Sequence, residues 1–195
     1  MQVDGLKIGF AVTGSHCMLH EVSKVMKQLV DEGADVTPII SYSVETMDTR
    51  FGKSAEWKSK FKEITHKELI QTIPAAEPVG PKKMFDCLVI APCTGNTLAK
   101  LANGITDTPV LMAAKSHLRN QRPLILAIST NDGLGLNARN IGTLLITKSI
   151  YLVPFGQDNP ADKANSLVAH MDKVKDTILM ACEGKQIQPV LWDYR

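Results

Sequence analysis

The segment Lys7-Ile-Gly-Phe-Ala-Val-Thr13-Gly14-Ser15-His16 decides how this chain is read. Residues 7–13 are a short apolar run with glycine and serine directly behind it, the pattern of a strand buried on both faces of a parallel sheet. Beyond it, Leu19, Val22, Val25, Met26, Leu29 and Val30 recur at spacings of three and four, which makes one helical face, and Gly33 ends that helix.

The alternation continues outward from this unit. Strands are predicted at 35–40, 87–91, 123–128 and 149–154, with helices at 98–103, 110–120 and 134–147. A closing helix is expected to carry Leu167, Val168, Met171, Val174, Ile178 and Leu179 on one face. This order predicts an α/β fold: a three-layer, doubly wound, Rossmann-like parallel sheet covered by helices on both faces, with residues 1–195 as one domain. Two segments depart from the alternation. Residues 48–84 read as a surface insertion, a helix over Ala55–Ile73 with Trp57, Phe61 and Ile64 facing inward, then a Pro/Gly-rich loop. Residues 186–195 form an apolar tail (Pro189, Val190, Leu191, Trp192, Tyr194) that packs either on its own domain or on a neighbouring protomer.

Composition narrows the function classes. A chain of 195 residues with 44% hydrophobic and 22% charged residues is long enough for one well-buried core. A net charge of +2, with no dense Lys/Arg block, gives no reason to expect a nucleic-acid partner. The four cysteines, Cys17, Cys87, Cys93 and Cys182, are widely spaced without a C-x-x-C pair, which fits a reducing cytoplasm and predicts no metal site. No signal peptide is visible, and no apolar run approaches the ~20 residues of a membrane helix.

Open parallel sheets bind ligands outside the carboxyl ends of their strands. After the first strand, Gly14 permits a tight turn and Ser15 adds a hydroxyl at a helix start, which makes either an anion site or a simple helix cap. After the second strand stand Ser41-Tyr42-Ser43. After the third stand Pro92-Cys93-Thr94-Gly95-Asn96-Thr97. Three donor-rich loops at successive strand ends point to one phosphorylated ligand. None is a G-x-G-x-x-G or Walker loop, so neither a dinucleotide nor a nucleoside triphosphate is the expected occupant.

The run Ala91-Pro-Cys-Thr-Gly-Asn-Thr-Leu-Ala-Lys-Leu-Ala-Asn-Gly104, with Asp107 after it, resembles the FMN-binding stretch of the flavoprotein family, which includes flavin-containing cysteine decarboxylases and flavin prenyltransferases. The resemblance spans most of residues 7–155. It implies FMN held by Gly14, Ser15, Ser41, Ser43, Pro92, Thr94, Gly95, Asn96 and Thr97, with Arg122 matching a phosphate-binding arginine of the prenyltransferases. It also implies a homo-oligomer built from trimers.

Within that family the opening Gly5–Ser15, the segment Ser41-Tyr-Ser-Val44 and the loop Ser129-Thr-Asn-Asp-Gly-Leu-Gly-Leu-Asn137 are similar to a branch of bacterial spore formation. Members of that branch act as a B subunit with an A subunit to oxidise the dicarboxylate dihydrodipicolinate to dipicolinate, in the mother-cell cytosol. The resemblance leaves two alternatives open: a flavin-free structural or gating partner of the A subunit, or a stand-alone FMN-dependent decarboxylase or prenyltransferase. NAD(P) is expected on the A subunit.

The decarboxylases carry proline–x–methionine–asparagine after the fourth strand. Here the segment reads Ile128-Ser-Thr-Asn131, which keeps only Asn131. Asn131, His66 and His16 are the catalytic candidates, each with a plainer reading as a loop, surface or turn residue. Cys17 and Cys93 read as small packing residues. Arg119, Arg122, Arg139 and Lys115 are the cations considered for a dicarboxylate, against a solvated basic face.

Overall fold

The computed structural model describes residues 2–192. Tyr194 of the apolar tail lies outside them. The element order is β1 (Lys7–Val12), α1 (Leu19–Asp31), β2 (Asp35–Ile40), α2 (Tyr42–Thr46), α3 (Ser54–Thr65), α4 (Ile73–Ala76), β3 (Cys87–Cys93), α5 (Gly95–Ala102), α6 (Pro109–Leu118), β4 (Leu124–Thr130), α7 (Ala138–Leu145), β5 (Ile150–Leu152), β6 (Phe155–Gln157), β7 (Leu167–Ala169) and α8 (Val174–Cys182).

The seven-stranded sheet runs β2-β1-β3-β4-β7-β6, with β5 also paired to β4. Strands β1 to β5 are parallel, as the alternation predicts, and every residue of β3 is buried. Helices α1 and α8 pack together, and α6 packs with α4 and α5. The doubly wound α/β architecture is therefore the one observed.

The last two strands differ from expectation. Leu167 and Val168 lie on β7, not on the closing helix, which starts at Val174. β7 runs antiparallel to β4, with Ser129 opposite Val168 and Thr130 opposite Leu167. Strand β4 is thus shared: its first half pairs with β5 and its last two residues with β7. This sets the β6–β7 hairpin beside the carboxyl ends of the parallel strands. The spacing Leu167, Val168, Met171, Val174 imitates a helical face because a buried three-residue strand and a following turn both bury their apolar side chains.

Two helices are shorter than predicted. α7 covers only 138–145, because Asp132 holds the preceding loop in turns by accepting from Thr130 Oγ1 (2.6 Å) and Asn137 Nδ2 (2.9 Å). α3 ends at Thr65, where His66 takes up φ 55. The chain then runs beside β2, with Ile70 bridged to Ile39. Trp57 and Phe61 are buried in the core as expected, and Ile64 partly so.

The tail lies along β6: the Phe155 N–H donates to the Val190 carbonyl, and the Trp192 N–H to the Phe155 carbonyl, both at 3.0 Å. Among the described residues no helix is long and apolar enough to cross a membrane.

Candidate functional site

The carboxyl ends of β1 and β3 are joined by one buried hydroxyl. Thr13 Oγ1 donates to the Pro92 carbonyl (2.7 Å) and accepts from the Thr94 N–H (3.1 Å), which locks the turn after β1 to the loop after β3. A buried hydroxyl satisfied in both roles is a rigid joint. Thr94 caps α5, with its Oγ1 accepting from Thr97 N–H at 3.3 Å and sharing a 2.9 Å bond with Thr97 Oγ1.

Around this joint lie two spaces with wall residues in common. The smaller, about 160 Å³, is lined by Thr13, Gly14, Ser41, Tyr42, Ser43, Thr94, Asn96, Thr97, Lys100, Thr108 and Leu111. Its lining holds no carboxylate. Ser41 and Ser43 share a 2.9 Å hydroxyl bond, so one of the two protons stays free to donate. The N–H groups of Gly95 and Asn96 open α5 and carry its positive dipole end. Gly14 approaches so closely that a Cβ there would stand 2.5 Å from Ser43 Oγ. A donor-rich, acid-free cradle closed by a glycine fits a phosphate group.

The larger space, about 1040 Å³, shares Gly14, Thr94 and Asn96 with the smaller one. Its walls come from the β1 turn (Ser15, His16, Cys17), the end of β4 (Ser129, Thr130, Asn131, Asp132), the 49–51 segment and the β6–β7 hairpin (Asp158, Lys163, Ser166, Leu167, Val168). Gly95 packs against the far wall, where a Cβ would collide with Thr130 Oγ1, Asn137 Nδ2 and Asp132 Oδ1.

Both ring nitrogens of His16 are shielded from solvent and lack a hydrogen-bond partner. Burial lowers its pKa, which favours the neutral ring. Hydrogen bonds from Thr130 and Asn137 hold Asp132 below the usual carboxylate range.

The strand-end residues expected from the sequence come together: Gly14, Ser41, Ser43, Thr94, Asn96 and Thr97 around the small pocket, Ser15 and Gly95 on the cleft, and Pro92 through its carbonyl. His16 and Asn131 line the cleft. Two expectations need correction. Arg122 precedes β4 and so sits at the opposite end of the sheet, where its guanidinium donates to the Phe85 and Lys83 carbonyls. His66 is the exposed terminator of α3, followed by Lys67, which pairs with Asp35 at the start of β2, again away from the cleft. Arg119, Arg139 and Lys115 are exposed and line neither space. Cys17 is exposed on the cleft rather than packed, whereas Cys93 is fully buried and burial raises its pKa far above the ordinary thiol value.

A family model described as Flavoprotein matches residues 2–181. The chain belongs to the Flavoprotein family. Among curated relatives of this Flavoprotein, the B subunit of dipicolinate synthase from Bacillus subtilis (strain 168) is 52% identical over 187 residues, 96% of this chain and 94% of the relative. The crystal structure of the dipicolinate synthase B subunit from Bacillus halodurans C superposes with a TM-score of 0.92 at 52% identity, covering 100% of both chains. The FMN-binding protein AtHal3 shares the fold, with a TM-score of 0.65 at 19% identity over 93% of this chain and 99% of that one.

Several lining residues of the Flavoprotein site carry no signal in the sequence. Ser129, Asp132 and Asn137 stand in a loop whose pattern is visible, but their mutual hydrogen bonds have no local signature. Arg50 and Phe51 lie in the segment expected to be a surface insertion. Lys163 and Ser166 reach the cleft only because β7 is a strand.

Proposed function

We propose that this chain is the B subunit of a dipicolinate synthase, which binds FMN at the carboxyl ends of β1–β4. With an A subunit, it oxidises dihydrodipicolinate to dipicolinate in the sporulating cytosol. The observation that carries the flavin reading is the acid-free hydroxyl pocket that shares Gly14, Thr94 and Asn96 with a cleft large enough for a flavin ring and a small substrate. The 52% identity with the Bacillus subtilis protein over nearly the whole chain supports the choice of reaction.

Under this reading Ser41, Ser43, Thr97 and the α5 N-terminus hold the phosphate, and Ser15, Asn96 and Asn131 border the ring. When bound, FMN supplies a two-electron acceptor. Aromatisation of a dihydropyridine releases a hydride equivalent and a proton, and neutral His16 is the cleft residue suited to take the proton. The altered segment Ser129-Thr130-Asn131 argues against a cysteine decarboxylase, and a nicotinamide cofactor belongs to the A subunit. Exposed Leu134, Leu136 and Ile146 favour a homo-oligomer, as in a trimer-based assembly.

A second reading, a flavin-free partner of the A subunit, is favoured by one observation. The Ser15 hydroxyl shares a 2.7 Å bond with Ser129, and where Ser15 is the donor of that bond its proton is withheld from the cofactor. The visible spectrum of the purified chain and an FMN titration separate the two. Flavin bands or saturable uptake support the first, and their absence overturns it. Dipicolinate formation with and without the A subunit then tests the pathway.

A further inference from the structure

The cleft carries three carboxylates, Glu21, Asp132 and Asp158, against two cations, Arg50 and Lys163. A doubly anionic substrate needs a cation there that is not already committed to a carboxylate. Lys163 is so committed: its Nζ lies 2.6 Å from Asp158 Oδ2. Arg50 has no carboxylate partner among the described residues, and its guanidinium lies over the Phe51 ring, 4.8 Å from the centroid.

These two residues sit on a fixed turn. The N–H groups of Thr49 and Gly52 each donate to the other's carbonyl at 3.1 Å, and the Phe51 N–H donates to Thr49 Oγ1 at 3.2 Å. Gly52 holds φ +130, a conformation side chains rarely adopt, and a Cβ there would stand 2.7 Å from Trp57 Nε1. Trp57 is buried in α3, edge-on to His20 at 4.8 Å and stacked on Phe61 at 5.9 Å. The turn therefore rests on the core.

We propose that the Thr49–Gly52 turn is the substrate-recognition element of the cleft, with Arg50 gripping a carboxylate of a planar ring dicarboxylate and Phe51 packing against the ring. A guanidinium stacked on an aromatic face keeps its N–H edge free for bidentate carboxylate binding, which an ammonium cannot reproduce. The assignment rests on the dihydrodipicolinate reading of the cleft and names the residues that enforce it.

Calorimetric titration of the purified chain, with and without FMN, against pyridine-2,6-dicarboxylate and pyridine-2-carboxylate tests it. In wild type the dicarboxylate binds tighter than the monocarboxylate. Arg50→Gln weakens the dicarboxylate by roughly tenfold or more and removes most of that preference, as expected for a lost charged hydrogen bond. Arg50→Lys recovers only part of it. Phe51→Ala weakens both ligands together, and FMN uptake and thermal unfolding stay as in wild type. An Arg50→Gln chain that keeps the wild-type preference overturns the proposal, as does a wild-type chain that takes up FMN but no dicarboxylate. Failure of FMN uptake instead sinks the flavin reading, and the dicarboxylate titration of the flavin-free chain still judges Arg50.

Discussion

Ser15 Oγ and Ser129 Oγ share a 2.7 Å hydrogen bond that joins the turn after β1 to the end of β4, across the intervening β3. In a double-mutant cycle with Ser15→Ala and Ser129→Ala, urea unfolding is expected to give a coupling of about 0.5–1.5 kcal/mol. Additive effects of the two substitutions would mean that the strand ends are not joined.

Gly14→Ala tests the phosphate cradle. The added Cβ stands 2.5 Å from Ser43 Oγ, so Ser43 must move and the Ser41–Ser43 hydroxyl pair is disturbed. FMN affinity is expected to fall about tenfold, equivalent to roughly 1.4 kcal/mol, with little change in melting temperature. Unchanged affinity in a fluorescence-quenching titration would remove the cradle from the phosphate.

Arg122→Gln separates structure from binding. The guanidinium donates to two carbonyls and lies 3.7 Å from Asp86, which itself accepts from the Lys7 N–H at 2.9 Å. These contacts tie together the starts of β1, β3 and β4. Folding stability is expected to drop by about 1–3 kcal/mol, while FMN affinity stays within about twofold. A large loss of FMN affinity at unchanged stability would restore Arg122 to the phosphate site.

His117 makes stability depend on pH. Its ring is buried and its Nε2 lies 3.1 Å from the Pro123 carbonyl, which can only accept, so Nε2 carries the proton of the neutral ring. Burial lowers its pKa from 6.5 to about 4. Between those values the unfolded chain binds more protons than the folded one, so stability rises with pH through the window and is lost on acidification from 6.5 toward 4. The contribution is on the order of 3 kcal/mol. Denaturant midpoints measured across pH 4–7 should show this slope in wild type and not in His117→Gln.

The parts of the fold written in local chemistry were legible in the sequence. Thr13-Gly14-Ser15 and Thr94–Thr97 announce a turn, a cap and a donor set within a few residues, and they meet where strand-end logic expects. The β6–β7 hairpin was not legible, because two buried strands of three residues lack the length that separates a strand from a helical face. Arg122 matches a prenyltransferase arginine in sequence, but a residue just before a parallel strand lies at the end away from the ligand. The role proposed for Arg50 depends on Trp57 carrying its turn, a contact that no spacing in residues 48–57 reveals.

Thr13 Oγ1 bolts the proposed phosphate cradle to the parallel strands, whereas the larger cleft is walled in part by the Thr49–Gly52 turn and the β6–β7 hairpin. The anchor and the selector are therefore separate parts of the chain. If the proposed roles hold, replacing residues 49–52 retunes which ring is accepted without disturbing the grip on the cofactor, so this scaffold lends itself to modular redesign.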